Sequence, residues 1–498
     1  MDGLGSQSED IKQGNHERYN ANFEVSFAGD ADPRSPRSLP MWRKWMIVLI
    51  ISTTSFCVAC TSSLYIGTYI QIERKFQVSE IVATLGLSLF VFGLGLSPMI
   101  LAPLSEFYGR KPIYVWSLSF FIIWIVPCAV ATNIQTLLVA RFFNGFAGSA
   151  FLSIAGGTIG DLFHKSELQK PMMVFTATPF LGPELGPVVG GFINYYLNWR
   201  WSFWFLLIWA GFQWVAIFFL VPETYHPVLL RQETRRIRKE TGEEKWHAPI
   251  EKMQRSIPQT ILRSIYRPSM LLVLEPMCLI LCIYTAVLLG ILYLFFGAFA
   301  LIFTENHGFN LWQVGLAFLS IVVGMVFAGA SDPWWHKNYI RLIAKYELET
   351  GDVGGSEPEF RMPQAIGGAP LVVIGMLWFG WTTQVASLPC YSSVHWIVPI
   401  IGSAFFGAGV FLIFSGIWTF LVESYPLYAA SALAANSFTR SMFAAGSPLF
   451  GTAMYRNVGF QWATFLLAMI TLILAPFPYI FFRFGKQIRS KSRYAGVR

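Results

Sequence analysis

Four ionisable side chains stand in or beside long apolar tracts: Arg141, Glu184, Glu275 and Arg440. A carboxyl in such a place can bind and release a proton, and a guanidinium can hold an anion or bias a nearby acid. A charge among apolar neighbours is costly unless it faces a partner or a cavity. Asn436 precedes Arg440 by four residues, so on a helix the two share one face. Tyr284 and, further on, Tyr293, Phe295, Phe296 and Phe299 add rings and hydroxyls that would suit an aromatic cavity. Arg141, Glu184, Glu275, Tyr284, Asn436 and Arg440 are therefore the candidates for proton coupling or substrate contact. Each also has a plainer reading: Arg141 a turn nearer the surface would snorkel, Glu184 would bond across helices, Glu275 would be interfacial, and many rings would face lipid.

Enzymatic chemistry has no comparable support. The seven histidines are scattered without an HExxH grouping, no GxxxxGK[ST] phosphate loop occurs, and no Ser/His/Asp set is evident. Cys57 and Cys60 have CxxC spacing but no His or acidic neighbours, so they read as packing residues; Cys390 falls in a predicted outer loop. No enzyme activity, no metal and no cofactor are expected.

The elements that must position the candidates follow from where charge is missing. Of 498 residues, 54% are hydrophobic and only 13% charged, against about 25% charged in a soluble domain. Residues 45–72, 81–105, 112–140, 201–221, 306–331 and 396–422 contain no Asp, Glu, Lys or Arg. A bilayer core needs about 20 mostly apolar residues per helix. Twelve spans are predicted, at 45–67, 80–101, 114–132, 138–160, 172–195, 201–221, 272–298, 312–330, 366–384, 396–420, 431–454 and 461–482. The tract 270–303 exceeds one span, so its helix must tilt, break or run along the interface. The fold class is thus an all-α polytopic membrane protein with twelve transmembrane helices in two six-helix, pseudo-symmetric bundles.

An N-terminal bundle occupies 45–221 and a C-terminal bundle 272–482, joined by a cytoplasmic central loop 222–271; a disordered cytoplasmic tail 1–44 and a basic cytoplasmic tail 483–498 flank them. The central loop holds ten basic and six acidic residues, with a surface helix expected near 251–266, and 331–365 forms a second inside loop. This distribution of Lys and Arg places both termini in the cytoplasm. The net charge of +8 then marks orientation rather than nucleic-acid binding. The expected partners are a small-molecule substrate and membrane lipids, with the chain a monomer.

Equal halves suggest duplication, as in many secondary transporters. Ala102-Pro-Leu-Ser-Glu106 and Ala328-Gly-Ala-Ser-Asp332 each end a span on an acid, and Asp161 and Glu423 stand at the ends of the fourth and tenth spans. Glu106 and Arg110 lie four apart at a helix end, which fits either an inside latch or a structural clamp, and Asp161 and Glu423 are expected to join similar inter-helix networks. In Gly182-Pro183-Glu184-Leu-Gly186-Pro187-Val-Val-Gly190-Gly191 two prolines remove backbone donors among four glycines, so a distorted fifth span suited to gating is expected.

Glu106-Phe-Tyr-Gly109-Arg110-Lys111, with Ala102 before it, resembles the signature between the second and third helices of the major facilitator superfamily, although Ala102 and Glu106 replace its usual Asp residues. Arg141-Phe-Phe-Asn-Gly145 resembles the fourth-helix signature, and 182–191 the fifth-helix signature of the drug:proton antiporter branch. Pro103-Leu-Ser-Glu106, Pro222-Glu-Thr-Tyr225-His-Pro227, Glu275-Pro276 and Glu423-Ser-Tyr-Pro426 look like the fungal twelve-helix members of that branch. The resemblance implies proton-coupled export of small amphipathic drugs or secondary metabolites by alternating access. The proton gradient would be the energy source and the plasma membrane the location, with a vacuolar location as the other choice. A polyamine exporter, or an importer or uniporter of the same fold, is the alternative. Glu106, Gly109, Arg110, Asp161, Gly182, Pro183, Gly186, Pro187, Gly190 and Glu423 form the expected gating set. Arg141 and Glu184 lie in consecutive antiparallel spans and are expected to form one proton–substrate coupling unit.

Overall fold

The structure, a computed structural model, describes residues 23–27, 32–164, 167–252, 257–351, 356–383 and 394–495. Cys390, most of the N-terminal tail and the last three residues of the C-terminal tail lie outside them. The first six long rods are α1 (Met41–Phe76), α2 (Glu80–Leu96 continued as Pro98–Tyr108), α3 (Arg110–Val130), α4 (Ile134–Leu162), α5 (Gln169–Tyr196) and α6 (Arg200–Leu220). Two further helices follow, the polar α7 (His226–Thr241) and the amphipathic α8 (Ile257–Leu274). The last six rods are α9 (Pro276–His307), α10 (Leu311–Thr350), α11 (Pro358–Thr382), α12 (Ile397–Ser424), α13 (Ala429–Val458) and α14 (Phe460–Ser490). Among the described residues there is no β-sheet, only an isolated bridge between Glu24 and His247.

Nine of these rods are long and apolar enough to cross a membrane, and ten if the bent α2 counts as one span. The 42° bend of α2 falls at Pro98, which has no N–H to continue the ladder. The other two long rods, α5 and α13, have 28 and 30 residues, ample for a bilayer core about 30 Å thick. They are less apolar because protein screens them. α5 lies between α1 and α10, and α13 between α9 and α2. A helix shielded from lipid keeps its Ser, Thr, Asn and Gly.

The helix pairings repeat. In the first half α1 packs on α5 and α6, α2 on α4, and α3 on α4 and α6; in the second α9 packs on α13 and α14, α10 on α12, and α11 on α12 and α14. The two halves meet through α2 with α13 and through α5 with α10, and these pairs exchange under the same repeat. Small residues carry matched crossings: Gly93 and Gly145 let α2 and α4 touch backbone to backbone, and Gly324 and Gly407 do so for α10 and α12.

Several expectations are revised. The tail 1–44 is not wholly free. Val25 N–H donates to the His247 carbonyl at 3.1 Å and His247 N–H to that of Phe23 at 3.0 Å, while Arg34 pairs with Glu233 and α1 begins at Met41. The long tract 270–303 takes one of its three expected outcomes and breaks, at Glu275 before Pro276, into α8 and α9, so the span expected from 272 starts at 276. The expected surface helix lies later, over Ile257–Leu274, and α7 precedes it. The inside loop 331–365 is largely helical, because α10 runs on to Thr350 and stops at Gly351, where φ is +73°.

The fifth span, for which distortion is expected, is not interrupted. α5 runs as one helix through Pro179, Pro183 and Pro187. Thr178 Oγ1 donates to the Phe175 carbonyl at 2.8 Å, the acceptor that Pro179 leaves without its usual N–H. The glycines serve close approach instead. A Cβ at Gly182 would lie 2.5 Å from that of Ala59, and one at Gly190 2.5 Å from the Leu64 carbonyl oxygen. Gly186 between them abuts Ser63, so Gly182, Gly186 and Gly190 form the ridge on which α1 rests.

Candidate functional site

Arg141 enters the bundle from α4 and is fully buried. Its Nε donates to the Gly86 carbonyl at 3.1 Å, Nη1 to that of Thr61 at 3.1 Å and Nη2 to that of Ser62 at 3.3 Å. The guanidinium carbon lies 4.5 Å from the Tyr65 ring centre and 4.4 Å from that of Phe90. One side chain thus ties α4 to α1 and α2 just where α1 tightens into the 3-10 turn Tyr65–Thr68. No ion pair joins it to Glu184, so the expected coupling unit has no direct contact here.

Glu184 is fully buried on α5, and neither carboxyl oxygen has a hydrogen-bond partner among the described residues. One turn earlier on the same face, Phe180 reaches into the second half. Its ring centre is 5.8 Å from Phe411, 5.2 Å from Phe414 and 5.4 Å from Trp418. Arg440, only half-buried, faces that cluster with its guanidinium carbon 5.0 Å from the Trp418 ring and 5.5 Å from Phe414. Its Nε makes no hydrogen bond. Asn436, one turn away, accepts from Trp418 Nε1 at 3.0 Å and donates to Thr285 Oγ1 at 2.6 Å, which fixes the indole between α9, α12 and α13.

Tyr293 of α9 joins the halves: its hydroxyl is 3.2 Å from Ser62 Oγ, and it lies in the electrostatic field of Glu184, Arg440 and Arg141 together. Its ring was legible in the sequence as one aromatic among many, and its place between the charges was not. Tyr284 is nine residues away, two and a half turns, and so on the opposite face of α9, with its buried hydroxyl unpartnered. Phe295 and Phe299 pack on Phe379 at 5.2 and 5.1 Å, so these rings fill the second bundle rather than line a cavity between halves.

A second cluster occupies the end to which both described termini return. Arg110 Nε pairs with Asp161 at 3.3 Å and its Nη1 donates to Ser105 at 2.6 Å, while its guanidinium lies over the Tyr225 ring at 4.6 Å. Glu106 is exposed at the end of α2 and within the field of Tyr225. In the other half Arg361 Nε pairs with Glu423 at 2.8 Å and covers the Tyr339 ring at 3.7 Å. The two acids at matched span ends therefore each meet an arginine that opens the third rod of their half. Glu275 belongs elsewhere: it accepts from Tyr425 at 3.3 Å and Ser492 at 2.8 Å, at the α8–α9 joint, and is not brought to Arg440.

Glu223, which the sequence offered only as part of a motif, caps the start of α3. Its Oε1 accepts from Arg110 N–H at 2.8 Å and from the N–H groups of Thr224 and Tyr225, each at 2.9 Å, and its Oε2 from Lys111 N–H at 3.2 Å. Gly109 makes this approach feasible. Its φ is +102°, and a Cβ there would overlap the Glu223 carboxyl. Gly109→Ala should cost about 1–3 kcal/mol from backbone strain alone and displace the cap as well. Denaturation in detergent and transport should both register the loss, and a variant matching the parent in both would show that the turn adapts.

Among the described residues no cluster of His, Cys, Asp and Glu is grouped for a metal. Comparison with known proteins turns this geometry into kinship. The profile of the Major Facilitator Superfamily matches residues 51–447. The chain is 65% identical to the efflux pump atB of Aspergillus terreus over 96% of its own length and 90% of that protein's. It is 39% identical to the probable drug/proton antiporter YHK8 of Saccharomyces cerevisiae, over 95% and 90% of the two chains. A Major facilitator superfamily multidrug transporter, mdrA of Aspergillus fumigatus, is 38% identical over 93% and 74%.

Two solved structures share the fold at low identity. The human organic anion transporter MFSD10 (TETRAN) has 17% identity and a TM-score of 0.58, covering 88% of this chain and 100% of that one. The xylose transporter XylE from E. coli, in a partially occluded inward-open conformation, has 16% identity and a TM-score of 0.59, covering 89% and 99%. The repeated six-rod pattern and the near full-length match to fungal efflux pumps and antiporters converge: this chain belongs to the major facilitator superfamily.

Proposed function

We propose that the protein exports small amphipathic molecules in exchange for protons, by alternating access to a site between two six-helix halves, 45–221 and 272–482. The observation that carries the reading is Glu184, a fully buried acid without a hydrogen-bond partner, one helical turn from the Phe180–Trp418 contact between halves. An ionised carboxylate so placed would be uncompensated, whereas the neutral acid is tolerated. Proton binding and release at Glu184 would thus track a change in its surroundings, which is what coupling requires. The Phe180, Phe411, Phe414 and Trp418 rings offer an apolar wall, and Arg440 beside them holds a buried Nε–H without an acceptor, which a cargo oxygen would satisfy once the site opens.

The Arg110–Asp161 and Arg361–Glu423 pairs would act as matched latches on the cytoplasmic side, made in one state and broken in another. Cytoplasmic termini follow from the Lys and Arg distribution, and fungal relatives named efflux pump favour the plasma membrane. The working unit is a monomer with no cofactor beyond the proton gradient.

The test uses proteoliposomes with an acidic interior and the membrane potential clamped at zero. The probes are tetraphenylphosphonium and 8-anilinonaphthalene-1-sulfonate, whose charges do not follow pH in this range. At least one should accumulate above its outside concentration as protons leave. Equilibration without accumulation, for a probe that demonstrably binds, sinks proton exchange and leaves a uniporter.

A further inference from the structure

Residues 489–495 fold back onto the bundle through a built contact. Near the end of α14, Arg489 grips Glu359 with two parallel bonds, Nε to Oε1 and Nη2 to Oε2, both 2.8 Å, and the two side chains are only 9% and 4% exposed. Beyond this anchor the backbone turns around one hydroxyl. Ser492 Oγ donates to Glu275 Oε1 at 2.8 Å and accepts the N–H groups of Tyr494 at 3.1 Å and Ala495 at 2.8 Å. Tyr494 then sets its ring against Tyr428, centres 5.4 Å apart, and Ala495 is 7% exposed.

Glu275 is itself buried, and it stands at the joint between α8 and α9. α8 packs on the Pro98–Tyr108 part of α2 in the first half, so the joint links that half to α9 of the second. Ser492 is the piece that holds the tail to this joint. Its neighbours Lys491 and Arg493 are exposed and basic, a charge pattern that kinases with acidic substrate grooves select.

We propose that Ser492 is a phosphorylation site, and that its phosphate releases residues 491–495 from the α8–α9 joint. Ser492 Oγ attacks the γ-phosphorus of ATP held by a basic-directed protein kinase. The Oγ–P bond forms, the bridging bond between the β- and γ-phosphates breaks, ADP leaves, and the hydroxyl proton passes to the kinase's base. The modified oxygen has no proton to donate to Glu275. The phosphate also sets a charge of about −1.5 to −2 against that carboxylate. Loss of a hydrogen bond to a charged group alone shifts the docked population about tenfold, and like-charge repulsion adds to it. The Arg489–Glu359 anchor stays, so the tail swings from a fixed stem. The proposal rests on the reading that the termini are cytoplasmic, where ATP and kinases are found.

The experiment uses the full chain with Ala495→Cys in lipid nanodiscs, treated with ATP and the catalytic subunit of cyclic-AMP-dependent kinase. Mass spectrometry should place phosphate on Ser492, and maleimide labelling of the introduced thiol should quicken about tenfold or more. Ser492→Glu should reproduce the release, and adding Glu275→Gln should reverse most of it by removing the repelling charge. No phosphate on Ser492, or phosphate without faster labelling, overturns the proposal. Both faces are open in a nanodisc, so an error in the assigned sidedness would not affect this result. It would appear instead in intact cells, as labelling of the same thiol by an impermeant maleimide added outside.

Discussion

Proteoliposomes carrying Glu184→Gln lose accumulation driven by a proton gradient while still binding and exchanging the probe. For one proton exchanged, an electroneutral cycle supports about tenfold accumulation per pH unit, each unit being about 1.4 kcal/mol. In the variant the inside-to-outside ratio should settle near one at every gradient. Glutamine copies the size and neutrality of the protonated acid but cannot ionise, so it holds the site in its proton-loaded condition. The fold should tolerate it, since the carboxyl makes no hydrogen bond that the amide would break. Probe affinity, if it varies with pH in the parent, should become flat. Continued accumulation by Glu184→Gln would move the proton site elsewhere and leave Glu184 a packing residue.

How much of this was legible beforehand depended on distance along the chain. The rods follow from tracts without charge, because that signal is local, and the length of 270–303 leaves a break as one of three outcomes without placing it at Glu275-Pro276. Asp161 and Glu423 stood out as matched acids, but their partners lie 51 and 62 residues away, and no sequence spacing names Arg110 or Arg361 for them. The glycines of α5 are visible in the sequence, but their packing is not: they bring the helix against α1, and Thr178 takes up the acceptor left at Pro179. Opposite charge in consecutive antiparallel spans makes Arg141 and Glu184 look like partners. The alternative acceptors, backbone carbonyls of Thr61, Ser62 and Gly86, have no sequence signature because every residue has a carbonyl. Tyr293 is legible only as one ring of a possible aromatic cavity and Phe180 not at all, for a related reason: with 45 Phe and 19 Tyr in the chain, a ring gains meaning only from what it meets.

That change of partners for Arg141 yields the second large effect: Arg141→Lys should be nearly as damaging as Arg141→Ala. The guanidinium satisfies carbonyls on two helices in three directions and is sandwiched by Tyr65 and Phe90. A lysine ammonium is one point with no plane to stack, so it cannot reproduce the fork. Hydrogen bonds from a charged donor are worth about 1.5–3 kcal/mol each, and lysine would forfeit at least one while leaving a buried charge poorly paired. Both variants should melt well below the parent in detergent and transport more than about tenfold slower, by analogy with loss of a buried charged network. The pH profile then separates two roles. If Arg141 fixes the α1–α2–α4 junction, residual transport by Arg141→Lys keeps the parent's pH dependence, whereas a shifted profile would mean that it biases Glu184 through space despite the absence of an ion pair. The geometry favours the first outcome, because all three guanidinium nitrogens donate to backbone oxygens of α1 and α2 and none pairs with Glu184.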